Sequence, residues 1–221
     1  MQVVNRDQRP AKPVGTQHVV ELGFVQEARQ TVGGPCRNVG AGRACADRSV
    51  DHAFCYLDFN FFKPFNDVYG FHVGDRAIIM FAELLRAEFG HDGDVFLGHI
   101  GGDDFFTSSS NTVKNLQSRL IEVRAKFASA AESLYAPEQR LSGYLECAGR
   151  DNVVTRFPLL SCSIAMLHLP AGGPAATPSD VARELAGLKT AAKKSPSGLA
   201  VARLALGAIN TITADPIHAA G

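Results

Sequence analysis

The sequence predicts an α+β domain in which an antiparallel sheet is covered by helices on one or both faces. Three observations predict it. Short apolar runs of strand length recur along the chain. They are interleaved with longer stretches whose apolar residues fall at helical spacing. Midway, two apolar runs are joined by Gly101-Gly102-Asp103-Asp104, the composition of a tight hairpin.

Residues 1–33 are weakly patterned, with a short helix or strand over Val19–Ala28, and read as an N-terminal linker or the stub of a fusion. Gly33–Gly42, with four glycines and a proline, reads as a loop. The domain is expected over 34–206. Its first strand is Ala53–Phe59, apolar and aromatic, with an acid near its end. Gly74–Phe89 places Ala77, Ile78, Phe81, Leu84 and Leu85 on one helical face. Val95–Ile100 and Phe105–Thr107 are the hairpin strands. Thr112–Ala131 is a second helix, with Val113, Leu116, Leu120, Val123 and Phe127 on one side. Residues 133–156 read as an inserted loop or hairpin, and Phe157–Leu167 as a core strand. Ala171–Thr177 is a linker, and Asp180–Lys194 a helix with Ser179 as its N-cap. Leu199–Leu206 is a last strand, followed by a tail over 207–221.

Composition narrows the class. Of the 221 residues, 46% are hydrophobic, enough to bury a core within one domain. Basic and acidic side chains balance at 22 each, which argues against a nucleic-acid or membrane-surface binder. An anionic ligand would have to be held locally. The five cysteines, Cys36, Cys45, Cys55, Cys147 and Cys162, include no C-x-x-C pair and are expected as reduced thiols. No signal-peptide pattern or run of 18 apolar residues occurs, so a soluble, cytoplasmic chain without a membrane segment is expected.

Two features carry chemistry. One is Asp58-Phe59-Asn60-Phe61-Phe62-Lys63-Pro64-Phe65-Asn66-Asp67, followed by Gly70, Gly74 and Asp75. The other is His99-Ile100-Gly101-Gly102-Asp103-Asp104-Phe105. Asp58 ends a buried strand and Asp103 lies at a hairpin tip. If the strands are neighbours, two carboxylates meet at one sheet edge and repel unless a cation lies between them. Mg²⁺, which prefers hard oxygen ligands and bridges to phosphates, suits that place. Lys63 offers a point charge for phosphate. Asn66 and Asp75 offer hydrogen-bonding groups to a base edge. An EF-hand is excluded because Lys63 stands at the sixth position, where glycine is required, and no glutamate stands at the twelfth. No Walker A motif is present.

The stretch Tyr56–Phe106 resembles the core of a GGDEF domain: a strand ending D-x-D/N-x-F-K-x-x-N-D, then G-x-x-x-G-D, a helix and a GG[DE]EF hairpin. The resemblance extends more loosely to Ser161–Ala165 and Ala191–Lys193, and so to most of residues 50–205. It implies a fold like the palm of nucleotidyl cyclases and polymerases. It also implies a diguanylate cyclase, in which two GTP molecules on two facing domains condense to cyclic di-GMP. In that family's pattern Asp58, Asp103 and the carbonyl of Phe59 hold Mg²⁺ or Mn²⁺, and Asp58, Asp103 and Asp104 form the catalytic carboxylates. Asn66 and Asp75 read guanine; Lys63, Lys193 and the backbone at Phe61 and Phe62 hold the triphosphate. The implied partners are GTP, cyclic di-GMP, a second GGDEF domain and a fused sensor or phosphodiesterase domain. The alternatives are a degenerate domain that binds GTP or cyclic di-GMP without turnover, and a dimerisation scaffold.

The sequence also departs from the family. Asp104 replaces the usual glutamate and is one methylene shorter. Asn60 replaces the commoner second aspartate. Ser197 stands where a phosphate-binding arginine is usual. His99 takes an arginine's place before the glycine pair, and His91-Asp92-Gly93-Asp94 lacks the arginine of the inhibitory R-x-x-D motif.

Overall fold

Strand β1 (His52–Asn60) is the centre of the molecule because both of its faces are buried. In a strand, alternate side chains point to opposite faces. Ala53, Cys55, Leu57 and Phe59 enter one core, and Phe54 and Tyr56 face a second. This explains the near-continuous apolar run, which a strand with one wet face would not need. The computed structural model describes residues 49–110, 113–148, 154–205 and 208–212.

β1 is flanked by β3 (Asp104–Ser110) and β6 (Ser161–Leu169), both antiparallel to it. β2 (Val95–Gly101) pairs with β3, β7 (Leu199–Ala205) lies parallel to β6, and β8 (Ala208–Ile212) closes the order β2-β3-β1-β6-β7-β8. α1 (Phe62–Tyr69), α2 (Phe71–Phe89) and α3 (Val113–Ala131) pack into the first core. α2 buries Ala77, Phe81, Leu85 and Phe89, and α3 buries Leu116, Leu120, Val123 and Phe127. Phe59 stands at their meeting point, its ring centroid 5.1 Å from Phe81 and 4.6 Å from Phe127. These aromatic contacts fix the end of β1, next to Asp58.

The opposite face is covered by α5 (Pro178–Lys194) through Val181, Leu185, Leu188 and Ala192. The insert expected over 133–156 is framed by a 3₁₀ turn (Glu132–Leu134), α4 (Pro137–Ser142) and the hairpin formed by β4 (Tyr144–Ala148) and β5 (Val154–Pro158). The insert is tied to α1. The Tyr69 hydroxyl donates to Gln139 Oε1 at 2.9 Å and accepts from the Ala136 amide at 3.1 Å.

The fold class is the expected one, with several elements placed differently. The sheet is mixed, because the β6–α5–β7 crossover makes one parallel pair. α1 is a helix the sequence did not signal: its N-cap is Phe61 and no side chain caps it. α2 starts at Phe71, ahead of Gly74, once Gly70 at φ 80° ends α1. Phe157 belongs to β5, and β6 begins only at Ser161, beyond Pro158 and its two leucines. The cap of α5 is Thr177, not Ser179. Its hydroxyl accepts from the Asp180 amide, the Asp180 carboxylate accepts from the Thr177 amide, and Pro178 takes the first helical position. β8 lies within the stretch expected as tail.

The expected N-terminal segment 1–33, the loop 33–42, Cys36, Cys45 and residues 213–221 lie outside the described residues. Cys55 and Cys162 are free thiols buried in the core, and burial pushes the Cys162 thiol up to about 12. Among the described residues no helix is long and apolar enough to cross a membrane.

Candidate active site

Alternation along β1 turns Tyr56 and Asp58 toward the face covered by α5. Asp58 is 6% exposed. It lies directly across from Asp104 on β3 and from Ser163 on β6. Cross-strand partners share a face, so the Asp58 and Asp104 carboxylates converge. α5 answers them with cations. Lys189 and Lys193 follow Leu185 at intervals of four, which keeps both beside the buried stripe. The Lys189 ammonium lies 2.9 Å from Asp58 Oδ2, 3.3 Å from Asp104 Oδ1 and 4.0 Å from the centroid of the Tyr56 ring. Lys193 lies 2.5 Å from Asp58 Oδ1, a charge contact without the alignment of a hydrogen bond. Burial opposes the charged form of Lys189, but the Asp58 carboxylate outweighs it and raises its pKa. Burial, helped by Asp104, pushes the Tyr56 phenol up to about 12.

The β2–β3 hairpin carries Asp103. Gly101 pairs with Asp104, and Gly102, at φ 57°, takes the first position of the two-residue turn. That position favours glycine. His99 braces the turn: its Nε2 lies 2.8 Å from the Gly102 carbonyl oxygen, and its ring stacks on Phe105 at 4.6 Å. Asp103 is half-buried beside the carboxylate pair. Burial raises its pKa above the usual carboxylate value, and the charges on Asp58 and Asp104 raise it further. Among the described residues it has no ion pair.

The third part is the turn from β1 into α1. Phe61 adopts φ 62°, a left-handed conformation uncommon outside glycine, which swings the chain into α1. Lys63 is exposed and pairs with Asp67 at 2.6 Å. Asn66 Oδ1 is buried and has no hydrogen-bond partner. Gly74 lies against that oxygen, and Asp75, the next residue on α2, is exposed. Phe62 packs edge-on against Phe59 at 5.5 Å, so its ring serves the core.

Of the residues singled out in the sequence, Asp58, Asp104 and Lys193 form one charged cluster with Asp103 beside it. Lys63, Asn66 and Asp75 lie on the α1–α2 side. Asp104 is the direct cross-strand partner of Asp58; Asp103 belongs to the turn. Lys189 is the member the sequence reading did not place. Its one signal was its position, a helical turn before Lys193 and on the same side of α5. Asn60 proves structural as well: its Nδ2 donates to Ser161 Oγ at 2.9 Å and its Oδ1 accepts from Ser163 Oγ at 2.8 Å.

The donor chemistry of Asp58 and Asp104 suits a hard divalent cation, but their oxygens are turned onto lysine. Among the described residues no three His, Cys, Asp or Glu side chains are set out together as metal ligands.

Comparison with known families gives a match over residues 41–145 to the family described as "Diguanylate cyclase, GGDEF domain". Comparison with curated proteins gave no match. Among solved structures, the GGDEF domain of DgcB from Caulobacter crescentus in complex with c-di-GMP is similar at 19% identity and a TM-score of 0.51, over 72% of this chain and 84% of that one. The FimX GGDEF domain from Pseudomonas aeruginosa is similar at 16% identity and a TM-score of 0.50, over 74% and 86% of the two chains. At these identities the likeness is one of fold. The motif residues are thus assembled on the fold of GGDEF domains, and residues 41–145, which include β1, α1, α2 and the β2–β3 hairpin, match that family.

Proposed function

We propose that the chain is a diguanylate cyclase that condenses two GTP molecules into cyclic di-GMP. The observation that carries this reading is the cross-strand pairing of Asp58 with Asp104 at the end of the central sheet, with Asp103 half-buried beside them. Asp58, Asp103 and the carbonyl of Phe59, together with Asp104 across from Asp58, would hold Mg²⁺ or Mn²⁺. Bound there, the ion supplies charge neutralisation at phosphorus. The chain's own groups do the positioning. The exposed Lys63 ammonium and the uncapped first turn of α1 face solvent as a place for phosphate oxygens. Lys193 adds a second cation from α5. The orphaned Asn66 Oδ1 accepts from a guanine N–H, and the exposed Asp75 carboxylate accepts from another.

In the reaction each 3′-hydroxyl attacks the α-phosphate of the other nucleotide. Two P–O bonds form, two bonds to pyrophosphate break, and each hydroxyl gives up its proton. One domain holds one GTP, so the reaction needs a second copy facing the first. Neutralisation and orientation carry most of such a phosphoryl-type transfer.

A second reading, GTP or cyclic di-GMP binding without turnover, is supported by two observations. Both Asp58 and Asp104 are already paired with lysine. Ser197, in place of an arginine, has its hydroxyl 2.9 Å from that of Ser195. The experiment is incubation with GTP and Mg²⁺ at several protein concentrations, with detection of cyclic di-GMP by mass spectrometry. Product that rises more steeply than protein concentration and vanishes in Asp103→Ala is expected. Mg²⁺-dependent GTP binding without product would instead establish the second reading.

A further inference from the structure

We propose that Lys189 is a tethered counter-ion whose ammonium stands in the place of a divalent cation between Asp58 and Asp104. The site then accepts a metal ion only when this side chain withdraws. The inference rests on the metal-site reading given above and deepens it.

The geometry is specific to one side chain. Of the three lysines on α5, only Lys189 contacts both carboxylates, at 2.9 and 3.3 Å; Lys193 contacts Asp58 alone. A cation that bridges two acidic side chains on adjacent strands does what a divalent ion does in such a site. Two features hold it there. The ring of Tyr56 lies 4.0 Å from the ammonium, so an aromatic face supports the charge. The stem belongs to the buried side of α5, next to Leu185 and Leu188, and its side chain is 29% exposed. Lys63, by contrast, is 84% exposed.

The charges also balance. Two ammonium groups face Asp58 and Asp104, so the pair is neutral before any metal arrives. An incoming divalent cation must displace Lys189 and would leave the cluster with excess positive charge. A triphosphate relieves that excess, because it offers both lysines new anionic partners. The nucleotide-free site is therefore a weak metal site, and metal and nucleotide enter together.

The test is a calorimetric titration of Mn²⁺ into the nucleotide-free full chain, comparing the unaltered protein with Lys189→Met. Methionine keeps the length and stem of lysine and removes the charge. Lys189→Met is expected to bind Mn²⁺ at least tenfold more tightly than the unaltered chain, about the effect of removing one unit of nearby like charge. Lys189→Arg, which keeps the charge, is expected to remain weak, and Asp58→Asn combined with Lys189→Met to lose binding. Should Lys189→Met lose its far-UV circular dichroism, Lys189→Gln takes its place. Equal Mn²⁺ affinity with and without the Lys189 charge would overturn the inference. So would failure of the uncharged variants to bind Mn²⁺ at all. GTP binding by the unaltered chain with Mg²⁺ is measured on the same samples. Its loss would count against the nucleotide reading, while the Mn²⁺ comparison would still decide the role of Lys189.

Discussion

Asn66 and Gly74 share one space: a methyl group placed on Gly74 would lie 2.0 Å from Asn66 Oδ1. The glycine is needed here for room, since the position is helical and its φ is ordinary. Gly74→Ala is expected to push the Asn66 carboxamide aside and leave the fold intact, because the end of one side chain can yield. GTP binding should weaken about tenfold, or ~1.4 kcal/mol, with discrimination against ATP reduced. Unchanged affinity and selectivity, measured by fluorescence titration with both nucleotides, would remove Asn66 from the base-reading site.

Lys63 separates binding from stability. Its partner Asp67 is itself half exposed, and a pair of that kind contributes at most about 1 kcal/mol to folding. Lys63→Ala should leave the melting temperature nearly unchanged and weaken GTP binding by about tenfold or more, the loss expected for one charge-assisted contact. A drop in melting temperature without a loss of affinity would show that the side chain is structural.

Asn60 is expected to behave in the opposite way. Its carboxamide joins β1 to two serines on β6, so Asn60→Ala should lower stability by about 1–3 kcal/mol in urea unfolding. Asn60→Asp retains an acceptor for Ser163 but loses the donor to Ser161 and adds a carboxylate two residues from Asp58. It should also be destabilising, and more so at low salt, where like charges repel over longer range.

Arg119 contributes to the acid sensitivity of the fold. Its guanidinium contacts Glu88 at 2.9 Å and Asp92 at 2.8 Å, joining the start of α3 to the end of α2. These contacts hold both carboxyls below their ordinary values of 4.5 and 3.8. Between the folded and unfolded values the unfolded chain binds more protons, so stability rises with pH. The contribution is complete above the unfolded values and is lost as pH falls through the folded ones. Arg119→Met should be less stable at pH 7 and lose less on going from pH 6 to pH 3. Parallel curves for the two proteins would place the acid sensitivity elsewhere.

The legible parts of this chain were those with local signals. β1 showed as an apolar run ending in an acid, the hairpin as two glycines between apolar runs, and α2 and α3 as helical periodicity. The misplaced parts depended on groups far away in sequence. α1 begins at an uncapped phenylalanine and holds its place through Phe65 in the core and Tyr69 against the insert. Nothing within a few residues of it announces a helix. The boundary of β6 shifted because apolar character alone does not distinguish Phe157, on the small second sheet, from Ser161, on the central one. Lys189 has no local signal beyond its place one helical turn before Lys193. Its meaning appears only when α5 is laid across β1 and the parity of Tyr56 and Asp58 is known.

That crossing sets an order of assembly. The central sheet's carboxylates are in place once β1 and β3 pair, but the lysines that face them lie on α5, 131 positions beyond Asp58. A contact so distant along the chain forms late, since a long loop must close before it is made. Until the last third of the domain docks, two acids stand side by side on adjacent strands with no opposing charge from α5. The docking of α5 therefore covers the second core and brings the opposing charges to the site in a single event. A chain that ends before residue 178 would keep the motif and lack the means to hold it closed.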